Sequence, residues 1–159
     1  MSLHARIHAT LLCSVSLVLA TFIFAGAAHA ARTQTTVCTL KTFDLTPTAI
    51  RGEDFGVLKC PRSLGAGVQH NTSILTPTSA TTGRFKGSST LYFSRGTVRS
   101  RFTLRYTISA SRIAFSGTAR VTGGTAAFKG IRGSAKLAGS SRDGGSHSTI
   151  TERIRVRLP

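Results

Sequence analysis

The stretch Thr97 to Ile108, TVRSRFTLRYTI, repeats every two residues. Val98, Phe102, Leu104, Tyr106 and Ile108 fall on one face, and Arg99, Arg101, Thr103, Arg105 and Thr107 on the other. A period of two is the side-chain repeat of an extended strand, and arginines on one face require that face to meet water. After a turn at Ser109-Ala110-Ser111 the alternation resumes. From Arg112 to Thr122, Ile113, Phe115, Gly117, Ala119 and Val121 point one way, and Arg112, Ser116, Thr118 and Arg120 the other. The two segments predict an antiparallel hairpin. A third clear strand, Ser148 to Leu158, sets Ile150, Ile154, Val156 and Leu158 against Thr149, Thr151, Arg153, Arg155 and Arg157.

No segment after Ala30 holds a helical period. Weaker strands are predicted over Thr35 to Phe43, Asp54 to Cys60, Gly67 to Leu75, Arg84 to Ser94 and Ile131 to Ala138. Closing such a sheet on itself removes its unpaired edges. The expected fold is therefore all-β, a single eight-stranded, mainly antiparallel closed barrel. The loop SSRDGGSH, Ser140 to His147, is expected to be flexible. TGRFKG at Thr82 to Gly87 echoes TAAFKG at Thr125 to Gly130. Each is read as a tight turn whose Phe plugs a barrel end and whose Gly starts the next strand.

The first thirty residues read as a secretory leader. Arg6 is followed by a long apolar run and by Ala28-His29-Ala30, a small-x-small cleavage pattern, against the rival reading of a retained membrane anchor. Residues 31–159 would then form one domain outside the cytosol, secreted or periplasmic. Cys38 and Cys60 remain there, and an oxidising compartment favours a disulfide between them. A metal pair is disfavoured, because only His70 and His147 survive processing as further ligands. No metal and no cofactor are expected.

The chain carries 21 Lys and Arg against 5 Asp and Glu, a formal charge of +16. That balance favours polyanionic partners such as an anionic glycan, a lipid surface or an envelope polymer. The outward arginines Arg99, Arg101, Arg105, Arg112, Arg120, Arg153, Arg155 and Arg157 are the candidate anion surface; a solvated basic face without a partner is the rival reading. Specific nucleic-acid recognition is not expected, since no aromatic residues interleave with these arginines as a stacking platform needs.

The run Gly117 to Gly139, GTARVTGGTAAFKGIRGSAKLAG, resembles the glycine-rich run of bacterial proteins with the allene oxide cyclase barrel, a superfamily shared with plant dirigent proteins. Gly123, Gly124, Thr125, Phe128, Gly130, Arg132 and Gly133 carry the match. Ala126 stands where that pattern has glycine, and Ile131 where it has alanine. The resemblance implies an eight-stranded antiparallel barrel, often oligomeric, around an apolar cavity. Some members of that superfamily cyclise or orient reactive substrates without a cofactor. No polar active-site residue of the plant enzymes aligns with a position here.

Within the expected interior, Phe102, Tyr106, Phe115 and Glu152 are the candidate ligand-binding residues. Glu152 shares parity with isoleucines and a valine. It is either a carboxyl of raised pKa able to act as acid or base, or a solvated group at the barrel mouth. Tyr106 and His70 complete the catalytic candidates, His70 being read on the inward face with Val68, Thr72 and Ile74. Asn71-Thr72-Ser73 is a formal glycosylation sequon. The expected role is binding, of a small apolar ligand inside the barrel or an anionic envelope component outside. The alternative is a cofactor-independent cyclase or isomerase.

Overall fold

A computed structural model describes residues 33–44, 50–61, 64–110, 112–144 and 146–158; the expected leader lies outside them. Its strands are β1 (Thr33–Asp44), β2 (Arg51–Lys59), β3 (Ala66–Pro77), β4 (Thr82–Phe93), β5 (Gly96–Ser109), β6 (Arg112–Gly124), β7 (Arg132–Ser141) and β8 (His147–Arg157). Each pairs antiparallel with its sequence neighbour, and β1 pairs with β8 to close the barrel. The three strands with the cleanest alternation, β5, β6 and β8, bury the faces their apolar residues mark. In β8 the inward set is Ile150, Glu152, Ile154 and Val156, all buried, with every intervening residue exposed.

One end of the barrel is plugged. Gly124 ends β6, a short 3-10 turn spans Ala126–Phe128, and Phe128 drops into the barrel at 1% exposure. Phe93 packs on it at 5.4 Å between ring centroids, and Ile131, 1% exposed, seals the same end. The Arg95 guanidinium sits 5.6 Å from the Phe128 ring centre, capping the plug from outside. Burying a side chain of this size contributes about 1.5–3 kcal/mol. Gly130 has φ +85°, the left-handed conformation that lets the chain leave the plug and enter β7.

TAAFKG thus makes the expected plug, whereas TGRFKG does not. Thr82 to Gly87 is the first half of β4, and Phe85 is a strand residue facing the barrel interior. Alternation in β6 also breaks near its end. Arg99 pairs with Gly123 and Ser100 with Val121, so Thr122 is an extra, bulged residue. The segment Ser140 to His147 is shorter as a loop than expected, since Ser140 and Ser141 belong to β7 and His147 to β8. Asp143 ties its ends together. Its carboxylate accepts from the Ser141 hydroxyl at 2.7 Å and the His147 backbone N–H at 3.0 Å, and pairs with the His147 ring at 2.7 Å. The His147 backbone bond first, then the Ser141 and His147 side chains, hold that carboxyl well below the usual carboxylate range.

Cys38 and Cys60 form a disulfide that links β1 to the residue following β2. Cys38 is fully buried in the core beside Leu40 and Leu58. A disulfide is consistent with an extracellular or secreted setting.

The outer wall divides by composition. On β1 to β3 it carries exposed Val37, Phe43, Val57, Val68 and Ile74. On β5 to β8 every outward position is Arg, Lys, Thr, Ser, Ala, Gly or His147.

Candidate functional site

Between the plug and the opposite end, the barrel interior holds a cavity of about 280 Å³. One wall, from β4 to β6, is apolar and largely aromatic: Phe85, Phe102, Leu104, Tyr106, Ile113 and Phe115. Phe85 lies 5.2 Å from Tyr106 and 6.1 Å from Phe115 between ring centroids, in tilted contacts that fix the rings relative to one another. Glycines on β4 make room for this wall. A Cβ at Gly83 would lie 2.5 Å from the Tyr106 ring and hydroxyl. One at Gly87 would lie 2.6 Å from the Phe102 ring and 2.1 Å from the Thr72 carbonyl oxygen. Both β5 rings therefore lie close against bare β4 backbone.

Beside this wall, the lining contributed by β2 and β3 is mostly polar. Asp54 on β2 and Gln69, Asn71 and Ser73 on β3 all line the cavity. The Gln69 side-chain amide donates to Asn71 Oδ1 at 2.9 Å, and Asn71 Nδ2 donates to Asp54 Oδ1 at 2.7 Å. Gln69 also hydrogen-bonds Glu152 from β8, so a chain of polar side chains runs from Glu152 to Asp54. Register accounts for it: Asp54 lies opposite Asn71 across β2 and β3. Antiparallel partners on one face stand close enough for direct side-chain contact.

Glu152 is 7% exposed, and its burial pushes the carboxyl up to about 7, against a smaller downward pull from the Gln69 hydrogen bond. Its neighbours across the sheet are Cys38 and Leu137, neither of which offers a countercharge. Glu152 therefore lies inside the barrel and is not solvated at its mouth. Glu152, Gln69, Phe102 and Leu137 also line a second, inner chamber of about 50 Å³ toward the plug. Gln69 Oε1 and the Ser89 hydroxyl are buried without a hydrogen-bond partner among the described residues. A protonated Glu152 supplies a donor next to the Gln69 side chain that holds that unpaired acceptor.

Phe102, Tyr106, Phe115 and Glu152 are thus brought together around one cavity. His70 is not. It points outward on β3, where its Nε2 meets Glu53 at 2.7 Å and its ring stacks on Phe55 at 4.4 Å. The inward set of β3 is Gln69, Asn71, Ser73 and Leu75, the opposite parity from the one its apolar residues predict. Reading apolar as inward fails here because β3 puts polar residues into the cavity and leaves Val68 and Ile74 exposed. Asp54, Gln69 and Asn71 went unrecognised for the same reason. The signal that identifies them is pairing: Asn71 must face Ser89 of β4, which lies between inward Gly87 and Leu91. Asn71 is also 5% exposed, so the acceptor side chain of the formal sequon sits inside the barrel. Tyr92 lies on the outer wall, 48% exposed.

The anion-surface candidates all stand exposed on the outer faces of β5, β6 and β8: Arg99, Arg101 and Arg105; Arg112 and Arg120; Arg153, Arg155 and Arg157. Arg101 and Arg120 are direct cross-strand partners. Among the described residues, no group of three His, Cys, Asp or Glu side chains is arranged to hold a metal ion.

No protein-family model and no curated protein matches the chain. Among solved structures, it is similar to the pterocarpan synthase dirigent protein PsPTS1 at 18% sequence identity and a TM-score of 0.41, over 79% of this chain and 96% of that one.

Proposed function

We propose that the protein binds a small, neutral, largely apolar molecule inside the barrel, with Glu152 donating a hydrogen bond to its polar group. The observation that carries this reading is the mixed lining of the cavity: aromatic side chains on β4 to β6 share it with a hydrogen-bonded polar chain, Asp54, Asn71 and Gln69, that reaches the buried Glu152 carboxyl. Concave, mostly apolar sites with a few convergent polar groups are how small ligands are held and oriented. At about 280 Å³ the cavity sits near the small end of ligand sites. A carboxyl pushed up to about 7 is largely protonated below neutrality, so it meets an acceptor on the ligand without placing a charge in the cavity.

The test is extraction of the purified protein with organic solvent, followed by mass spectrometry and rebinding of whatever is released. Ile113→Trp, which fills the cavity from β6, is expected to abolish recovery and rebinding while leaving the melting temperature near that of the parent. For a neutral ligand, affinity should fall as pH rises through about 7 and Glu152 ionises. Affinity that rises over that range would instead indicate a cationic ligand. A parent protein that yields and rebinds nothing sinks the reading.

A second reading, a cofactor-independent isomerase or cyclase, is favoured by the same Glu152. A carboxyl with a pKa near 7 is matched to proton transfer at neutral pH. The distinguishing measurement is deuterium uptake at a C–H position of the recovered ligand in heavy water. Exchange with the parent protein and none with Glu152→Gln supports catalysis; no exchange with either leaves binding alone.

A further inference from the structure

The outer wall of β5 to β8 carries rows of side chains that the interior reading does not use. One row crosses the sheet at a single level: Arg101 opposite Arg120, Arg120 opposite Ser134, and Ser134 opposite Arg155. The next row runs Thr103 to Thr118, Thr118 to Lys136, and Lys136 to Arg153. Neighbouring strands lie about 4.8 Å apart, and same-face residues along a strand about 6.7 Å apart. Cations and hydroxyls therefore form a regular array with about 5 to 7 Å between neighbouring attachment points. Where the rows meet, Arg101, Thr103, Thr118, Arg120 and Ser134 line a shallow depression.

Like charges directly opposite each other destabilise a sheet, and no outward position of β5 to β8 holds a carboxylate to offset them. We propose that this wall binds a linear anionic polysaccharide, with sulfate or carboxylate groups held between Arg101 and Arg120 and the sugar hydroxyls meeting Thr103, Thr118 and Ser134. Charge complementarity supplies the attraction, and guanidinium groups suit the planar, bidentate pairing that oxyanions offer.

The composition of the wall selects among polyanions. It has no Phe, Tyr, Trp or large aliphatic residue, so it offers neither a stacking platform for bases nor an apolar surface to enter a bilayer. Its hydroxyls match a polyhydroxylated chain. The wall is also convex, being the outside of a closed barrel. A duplex with a persistence length of about 50 nm meets such a surface along a narrow line, whereas a flexible chain can wrap it.

The test is fluorescence anisotropy with an end-labelled heparin oligosaccharide, titrated with the purified protein at several salt concentrations. Arg101→Ser with Arg120→Ser is compared with a charge-matched control outside the depression, Arg105→Ser with Arg157→Ser, each of which faces another arginine across the sheet. The first pair is expected to weaken binding about tenfold and the control pair about twofold, with both variants retaining the parent's melting temperature or exceeding it. Binding should also weaken as salt rises. Equal losses in the two variants would overturn the subsite and leave only diffuse charge. Tighter binding of polyphosphate, a single-stranded or duplex oligonucleotide, or anionic vesicles at matched charge would overturn the polysaccharide assignment.

Discussion

Glu152 concentrates the chemistry of the barrel in one side chain. Its folded pKa, about 7, lies above the ordinary 4.5, so the native state keeps a proton that the unfolded chain releases between those values. Stability from the neutral carboxyl is fully present below about pH 4.5 and is lost as pH rises through about 7, a swing of about 3 kcal/mol. Glu152→Gln keeps the neutral shape, so urea unfolding of that variant should be flatter over this pH range. Above pH 7 it should also be more stable than the parent. A second single-residue prediction concerns Ala126, which stands where the resembled pattern has glycine and has φ +48°. A left-handed L-residue is strained, and glycine relieves the strain while adding freedom to the unfolded chain. Ala126→Gly is expected to raise stability by about 0.5 kcal/mol in the same denaturation assay.

At the scale of elements, β3 departs most from what its residues advertise. If Gln69 and Asn71 form the cavity wall, Asn71→Ala removes the donor to Asp54 inside the barrel and should cost about 2 kcal/mol. His70→Ala, on the outer wall with one partly exposed hydrogen bond to Glu53 and a ring stacked on Phe55, should cost less, about 1 kcal/mol. The reverse ranking by chemical denaturation would contradict the observed parity. The disulfide is the other device of this scale. It closes a loop between residues 22 apart, spanning the β1–β2 connection, and in chain-entropy terms removing it costs about 3 kcal/mol. Cys38→Ala with Cys60→Ala should lower the unfolding midpoint accordingly, as should reduction of the parent. Strands β5, β6 and β8 were legible because each has an arginine-bearing face that must meet water. β3 was not, because neither of its faces is clearly apolar: Val68 and Ile74 alternate with Gln69, Asn71 and Ser73. When both faces are mixed, the choice between them passes to the neighbouring strands.

Over the whole molecule, the formal charge of +16 is spread unevenly. The outer wall of β5 to β8 is basic and free of carboxylates, while the outer wall of β1 to β3 exposes apolar residues. Repulsion across paired strands, as at Arg84 with Arg105 and Arg132 with Arg157, is relieved by screening. The melting temperature should therefore rise as sodium chloride increases from about 10 mM, where the Debye length is about 30 Å, to about 0.15 M, where it is about 8 Å. A flat or falling response would show that the barrel already tolerates its own field.

The sequence by itself determined the class of fold, the number of strands, the outward direction of the arginines and the pairing of Cys38 with Cys60. Each follows from a local rule: strand period, turn residues, the cost of burying charge, and the pairing expected of two cysteines in an oxidising compartment. Only the tertiary structure decided that Phe85 lines a cavity while Phe128 closes an end, although both sit in the same six-residue pattern. It also decided that Asn71 is internal, that His70 is external, and that Glu152 meets Gln69 across the barrel. Those outcomes depend on register between strands distant in the chain, which no local pattern encodes. The buried carboxyl and its polar partners come from different strands and acquire their chemistry only when closure of the barrel excludes water around them.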